Sequence, residues 1–151
     1  MEFHYRKSPR MPKFDYSGGY YYFVTICTHE KKKLFGKPKE LNRFGEITRA
    51  CLEKISDHYP NVEVLKHVVM PNHVHAIIHL NAGAEASLLQ IIGQYKMTVT
   101  KQIHKISPGI TVWQRSFHDH VIRNTEGFQK IWEYMENNPL KWEEDCFYQT
   151  E

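Results

Sequence analysis

VEVLKHVVMPNHVHAIIHL, residues 62–80, is the stretch on which the fold turns. Two apolar, β-branched runs, Val62 to Met70 and His73 to Leu80, stand on either side of Pro71-Asn72. Proline presets the turn and the runs have strand character, so the pair is predicted to form an antiparallel hairpin. In the second run side chains alternate between faces. His73, His75 and His79 then share one face, while Val74, Ala76, Ile78 and Leu80 share the other and suit packing under helices. Two imidazoles one pleat apart can reach one divalent ion at about 2.0–2.2 Å. The same spacing also serves a pair of hydrogen-bonded surface histidines, and spacing alone does not choose between these readings.

Around the hairpin the remaining elements fall into order. Tyr20 to Thr28, YYYFVTICT, is aromatic and β-branched without a turn residue, as expected of a central strand. Lys31, Lys32, Lys33, Gly36 and Pro38 follow as a solvated loop. From Arg43 to His58 the positions Phe44, Ile47, Cys51, Leu52 and Ile55 recur at helical spacing, and Pro60 ends the run. A second helix is predicted over Ser87 to His104, with Gly93 as a weak point inside it. Val112 to Ile122 reads as a strand, at least in its second half.

A last helix follows Asn124-Thr125, carries the stripe Phe128, Ile131, Trp132, Met135 and closes at Asn138-Pro139. The order β-α-β-β-α-β-α predicts an α+β fold. Its ferredoxin-like βαββαβ core has two helices on one sheet face, and the final helix lies on the other. On that final helix Tyr134 and Asn138 lie one turn apart on one side, with Gly127 on the same arc leaving room for an approaching group. A second H-x-H, His118-Asp119-His120, falls on the last strand. The first strand is expected to separate it from the His73 strand by two strand spacings of about 4.8 Å, which argues against shared ligation and for phosphate contact or hydrogen bonding.

At 151 residues the chain is one domain in size, read as a basic arm over 1–19, the domain over 20–142 and an acidic tail over 143–151. The net charge is only +3. That whole excess sits in residues 1–13 of the arm, where Arg6, Lys7, Arg10 and Lys13 face Glu2 alone. Three scattered cysteines without C-x-x-C spacing exclude a disulfide scaffold and a thiolate zinc site. No leader-like or membrane-spanning apolar run is present, and a cytoplasmic setting is expected.

The segments Val69-Met70-Pro71-Asn72-His73-Val74-His75, Trp113-Gln114-Arg115, Asp119-His120-Val121-Ile122-Arg123 and Tyr134-Met135-Glu136-Asn137-Asn138-Pro139 together resemble the REP-associated tyrosine transposases. These are relatives of the small single-tyrosine insertion-sequence transposases of the HUH superfamily. Phe23 to Thr28 is similar to the first strand of that family, and the likeness runs in order over residues 20 to 142. The resemblance implies that His73 and His75 are metal ligands, that Asn138 is the third, and that Tyr134 is the nucleophile. It implies Mg²⁺ or Mn²⁺ as cofactor and cleavage and rejoining of hairpin-forming single-stranded DNA through a 5′-phosphotyrosine. The protein would act as a monomer or homodimer. Lys96 lies where relatives carry a basic residue near DNA.

With Arg6, Lys7, Arg10, Lys13, Arg115 and Arg123, Lys96 makes up the expected phosphate contacts, which position a strand without reading its sequence. The absence of a G-x-x-x-x-G-K-[ST] loop fits a transesterification that needs no nucleotide. Two other classes compete. A DNA-binding or regulatory protein of the same fold that no longer transposes is opposed by the intact His73, His75, Tyr134 set. A histidine-triad hydrolase needs a third alternate histidine where this chain has Ile77.

Overall fold

Aromatic and β-branched residues from Tyr20 to Cys27 form strand β1, one of the two inner strands of the sheet. The computed structural model describes residues 19–139; the basic arm with Arg6, Lys7, Arg10 and Lys13, and the acidic tail, lie outside them. After β1 come two short strands, β2 (Gly36–Lys37) and β3 (Glu40–Leu41), then helices α1 (Arg43–Glu53) and α2 (Ile55–His58). The hairpin β4 (Val62–Met70) and β5 (His73–Leu80) leads to α3 (Leu88–His104), β6 (His118–Ile122) and α4 (Thr125–Asn137). The main sheet is antiparallel in the order β4-β5-β1-β6, the ferredoxin-like arrangement expected from the order of elements.

Three local differences from the sequence reading have physical causes. The helix expected over Arg43 to His58 divides at Lys54, where ψ flattens to −7° and the Lys54 N–H bonds the Cys51 and Leu52 carbonyls, so a separate turn ends before Pro60. The lysine loop is not wholly irregular: β2 and β3 form a small ladder around Pro38-Lys39, and Phe35 beneath it is fully buried against Trp113. Of Val112 to Ile122 only the second half joins the sheet, while Trp113 makes a single bridge to Thr28.

Helix starts follow their caps. Asn42 accepts from the Gly45 N–H, Ser87 and Gln90 form a reciprocal capping box, and Asn124 accepts from the Gly127 N–H. Gly93 of α3 faces open space, so its cost is backbone entropy alone. Gly45 is different: a Cβ there would stand 2.4 Å from the Phe35 carbonyl oxygen and 2.9 Å from the Leu41 side chain. Gly45→Ala is therefore expected to force α1 away from the β2–β3 ladder and cost about 1–3 kcal/mol, read as a lower urea midpoint at unchanged slope.

The sheet has two unequal cores. Val24, Ile26, Val74, Ala76, Ile78 and their neighbours pack under α1 and α3. On the other face a smaller cluster, Phe23, Ile77, Ile122, Ile131 and Met135, seats α4. Burying Ile131 and Met135 contributes about 1.5–3 kcal/mol each, which is how one amphipathic helix is held across an otherwise polar face. Lys66 adds a tether, its ammonium 2.5 Å from Glu136 and 4.4 Å over the Trp132 ring. No described helix is long and apolar enough to cross a membrane.

Candidate active site

The alternation in β5 and the register of its neighbours decide which side chains meet. Thr25 of β1 lies opposite His75 of β5, and Cys27 lies opposite His73. Side chains of Thr25, His73, His75 and Phe23 therefore project on the α4 face. Both histidines are fully buried, and their Nε2 atoms are 3.1 Å apart. As the H-x-H spacing predicts, they converge.

Each imidazole is oriented from behind. Asn72, in the turn between β4 and β5, donates through Nδ2 to the Lys31 carbonyl, which turns its Oδ1 toward His73 Nδ1 at 2.7 Å. That oxygen can only accept, so Nδ1 carries the proton and His73 Nε2 presents a lone pair. Thr28 fixes the turn itself: its N–H donates to the Asn72 carbonyl at 3.0 Å, and its hydroxyl lies between the Lys32 and Asn72 carbonyls, at 2.7 and 3.1 Å, with one proton to share. At His75 the Thr25 hydroxyl holds Nδ1 at 2.9 Å. A hydroxyl both donates and accepts. With Thr25 donating, His75 Nε2–H closes a hydrogen bond onto His73; with Thr25 accepting, two lone pairs face each other and a cation between them is required.

The donor set therefore fits a divalent ion. Two nitrogens about 2.2 Å from one ion and at right angles to each other lie about 3.1 Å apart, an octahedral arrangement. Hydrogen bonds to the distal Nδ1 atoms are the usual support of metal-bound imidazoles. Among the described residues no group of three or more His, Cys, Asp or Glu side chains is placed to hold a metal. Asn138, the amide that the sequence offers as a third ligand, caps the C-terminal end of α4 and is 4% exposed.

Helix α4 brings Tyr134 to the histidines. Its ring, half-buried, is 5.4 Å from the His75 ring and stands edge-on to Phe23 at 6.1 Å, while Phe23 stacks on His75 at 5.0 Å. The nucleophile candidate thus rests directly on one of the ligand candidates. Asn138 follows one turn later, with Asn138 N–H bonded back to the Met135 carbonyl. Gly127 is in the first turn of α4, two turns from Tyr134, where it completes the Asn124 cap.

The other sequence-derived residues are dispersed. Lys96 is half-buried on α3, donates to the Gln114 carbonyl at 2.6 Å, and has its pKa pushed down by burial. It fastens the loop whose Gln114 N–H bonds Cys27, the residue opposite His73, so it borders the site through that loop. Arg115 is exposed on the same loop, and Arg123 is exposed at the far end of β6. His118 and His120 lie on the α4 face in register with Thr25 and Phe23, while Asp119 is buried on the opposite side. His79 stacks on Tyr21 with centroids 3.9 Å apart, away from the histidine pair. Thr25 and Asn72, which aim the imidazoles, were not among the sequence candidates.

Comparisons with known proteins place this geometry. The family model described as Transposase IS200 like matches residues 16–138. An uncharacterised protein of Haemophilus influenzae is 32% identical over 96% of this chain and 94% of its own length. A second H. influenzae protein, provisionally named a REP-associated tyrosine transposase, is 25% identical over 84% of this chain and 74% of its own. Among solved structures, a REP-associated tyrosine transposase bound to a REP hairpin superposes with a TM-score of 0.61 at 24% identity, over 89% of this chain and 74% of that one. A Deinococcus radiodurans protein provisionally assigned as a transposase gives 0.58 at 16% identity, over 84% and 97%. These two share the α+β fold, and the family match spans every described element: the chain belongs to the IS200-like transposase family.

Proposed function

We propose that this transposase cleaves and rejoins hairpin-forming single-stranded DNA through a covalent bond to Tyr134, with His73, His75 and Asn138 as ligands of a divalent ion. The observation that carries the reading is the contact of Tyr134 with a buried imidazole pair whose Nε2 atoms converge at 3.1 Å. Family membership and the hairpin-bound structural relative support DNA as the substrate, which a cytoplasmic location also fits.

In the step itself the Tyr134 oxygen bonds to a backbone phosphorus as the bond from phosphorus to the preceding 3′ oxygen breaks. The phenol gives up its proton and the departing oxygen takes one up, leaving a 5′-phosphotyrosine and a free 3′-hydroxyl. One phosphodiester replaces another, so a second 3′-hydroxyl can reverse the step without ATP or water. A divalent ion, when bound, supplies charge compensation at a non-bridging phosphate oxygen and holds the ester in line. Mg²⁺ or Mn²⁺ suits open, water-filled positions, and Mn²⁺ tolerates imidazole better.

The chain's own residues set the geometry. Phe23 and His75 hold the Tyr134 ring from the sheet side, leaving rotation about the side-chain bonds to deliver the oxygen. Asn72 and Thr25 keep both imidazoles pointed at one spot. A phenol with pKa near 10 is mostly protonated at neutral pH, so its reactivity requires a nearby cation.

The test is incubation of the purified protein with single-stranded hairpins from the DNA flanking its own gene, followed by denaturing electrophoresis. An adduct is expected with Mn²⁺ present, absent in excess EDTA and restored on adding the ion back. An adduct that forms equally well in EDTA contradicts the metal-dependent reading.

A further inference from the structure

At the end of α4 remote from Tyr134, the same sheet face carries a groove of about 410 Å³, within the range of about 300–1,000 Å³ typical of small-molecule sites. Buried Ile122 and half-buried Leu65 are its apolar base, the half-buried rings of Tyr21 and Phe128 its sides, and exposed Arg123 and Asn124 its rim. Leu65 lies on this face by alternation with Glu63, which pairs with His79, and the irregular pairing between Val64 and Lys66 brings Lys66, opposite Ile77, to the same face. The Tyr21 ring is fixed, parallel to His79 within 2° on one side and edge-on to Phe128 at 6.0 Å. The groove is therefore rigid where it is aromatic.

The rim is cationic. Arg123 makes no ion pair among the described residues. Asn124 Oδ1 accepts from the Gly127 N–H at 2.7 Å, which turns the side-chain oxygen toward the helix and leaves donation to an anion to its Nδ2 and to the guanidinium. A planar ring with apolar faces and an anionic group attached to it is the ligand these features suit together. From Thr125 to Tyr134 the helix rises about 14 Å, which at the 3.4 Å per nucleotide of a stacked strand is about four nucleotides. A strand lying along α4 with one phosphate at Tyr134 thus has an unpaired nucleotide within reach of the groove.

We infer that this groove receives one unpaired nucleotide of the bound DNA, its base against Phe128 and Tyr21 and its phosphate on Arg123. The inference rests on the reading under Proposed function and adds a second point of attachment to it. The lining is apolar and aromatic, so the contact should stack any base and show weak sequence preference. Its role is to register the strand, setting which phosphate lies at Tyr134.

The test uses the same flanking hairpins, each carrying one abasic replacement in turn along its unpaired segment, with affinity read by fluorescence anisotropy. Wild type is expected to show one unpaired position where loss of the base weakens binding about 5- to 100-fold. In Phe128→Leu, which keeps an apolar anchor for α4, that penalty should shrink to within about twofold. In Arg123→Gln, a surface change that spares the fold, the slope of log affinity against log salt should fall by about one. An abasic profile identical in wild type and Phe128→Leu, or an unchanged salt slope in Arg123→Gln, overturns the groove as a nucleotide site. If that happens while hairpins still bind and form the Tyr134 adduct, only this inference fails; if no flanking hairpin binds at all, the DNA reading fails with it.

Discussion

Tyr134→Phe is expected to remove covalent joining to DNA, by at least about 10³-fold against wild type in adduct yield, because in the proposed reaction the lost hydroxyl supplies the oxygen that bonds to phosphorus. The fold should survive. The ring that stands against Phe23 and His75 is one that phenylalanine keeps. The stability change should stay within about 1.5 kcal/mol, the net contribution of a single hydrogen bond. Hairpin affinity in the variant should be within a few-fold of wild type. That combination, binding kept and adduct lost, separates a nucleophile from a residue that merely seats α4.

The second large effect is at the imidazole pair. His75→Gln is expected to abolish adduct formation to a similar extent and to remove tight Mn²⁺ binding measured by calorimetry. It would leave one of the two imidazoles proposed to hold the ion. His75 is fully buried against Phe23 and Tyr134, so the substitution also has a structural cost. A melting curve on the same sample measures that cost separately. Thr25→Val is the control that isolates orientation. It keeps the shape of the buried side chain and removes only the hydroxyl at His75 Nδ1, so Mn²⁺ affinity should drop about 10- to 100-fold while both ligands remain. Full Mn²⁺ affinity in Thr25→Val and in His75→Gln would place the metal elsewhere.

Both effects trace to features that are unevenly legible in the chain. The hairpin is plain because a period of two, interrupted by Pro71-Asn72, has one simple reading, and it carries His73 and His75 to one face without further information. Tyr134 and Asn138 are equally plain as a one-turn pair on an amphipathic helix. What no local pattern contains is register between strands distant in sequence. Thr25 is an ordinary strand residue until β1 docks against β5 with Thr25 opposite His75, fifty residues later. Asn72 looks like a turn former, and its second task, aiming His73, depends on the Lys31 carbonyl lying within reach.

The setting of each charge is likewise not contained in a local pattern. Lys96 as a sequence character is a cation available to phosphate. In the fold it is half-buried with its ammonium on the Gln114 carbonyl, a position set by the irregular segment before β6 that periodicity did not resolve. Arg123 was one basic residue among several in the sequence and becomes distinct only because β6 ends beside the aromatic groove at the start of α4. The break in the first helix at Lys54 and the burial of Phe35 beneath the lysine loop are also tertiary effects, where packing overrides a continuous helical pattern and a polar loop composition.

The most direct measurement is mass spectrometry of the tryptic digest after the protein has reacted with a flanking hairpin and Mn²⁺, with the DNA trimmed by nuclease. The central claim is that Tyr134 and the His73–His75 pair form one metal-dependent strand-transfer site. It predicts nucleotide phosphate mass on the peptide containing Tyr134, localised to that tyrosine by fragmentation, and no such peptide from EDTA-treated or His75→Gln samples. Modification at another residue, or at Tyr134 with equal yield in EDTA, would contradict it.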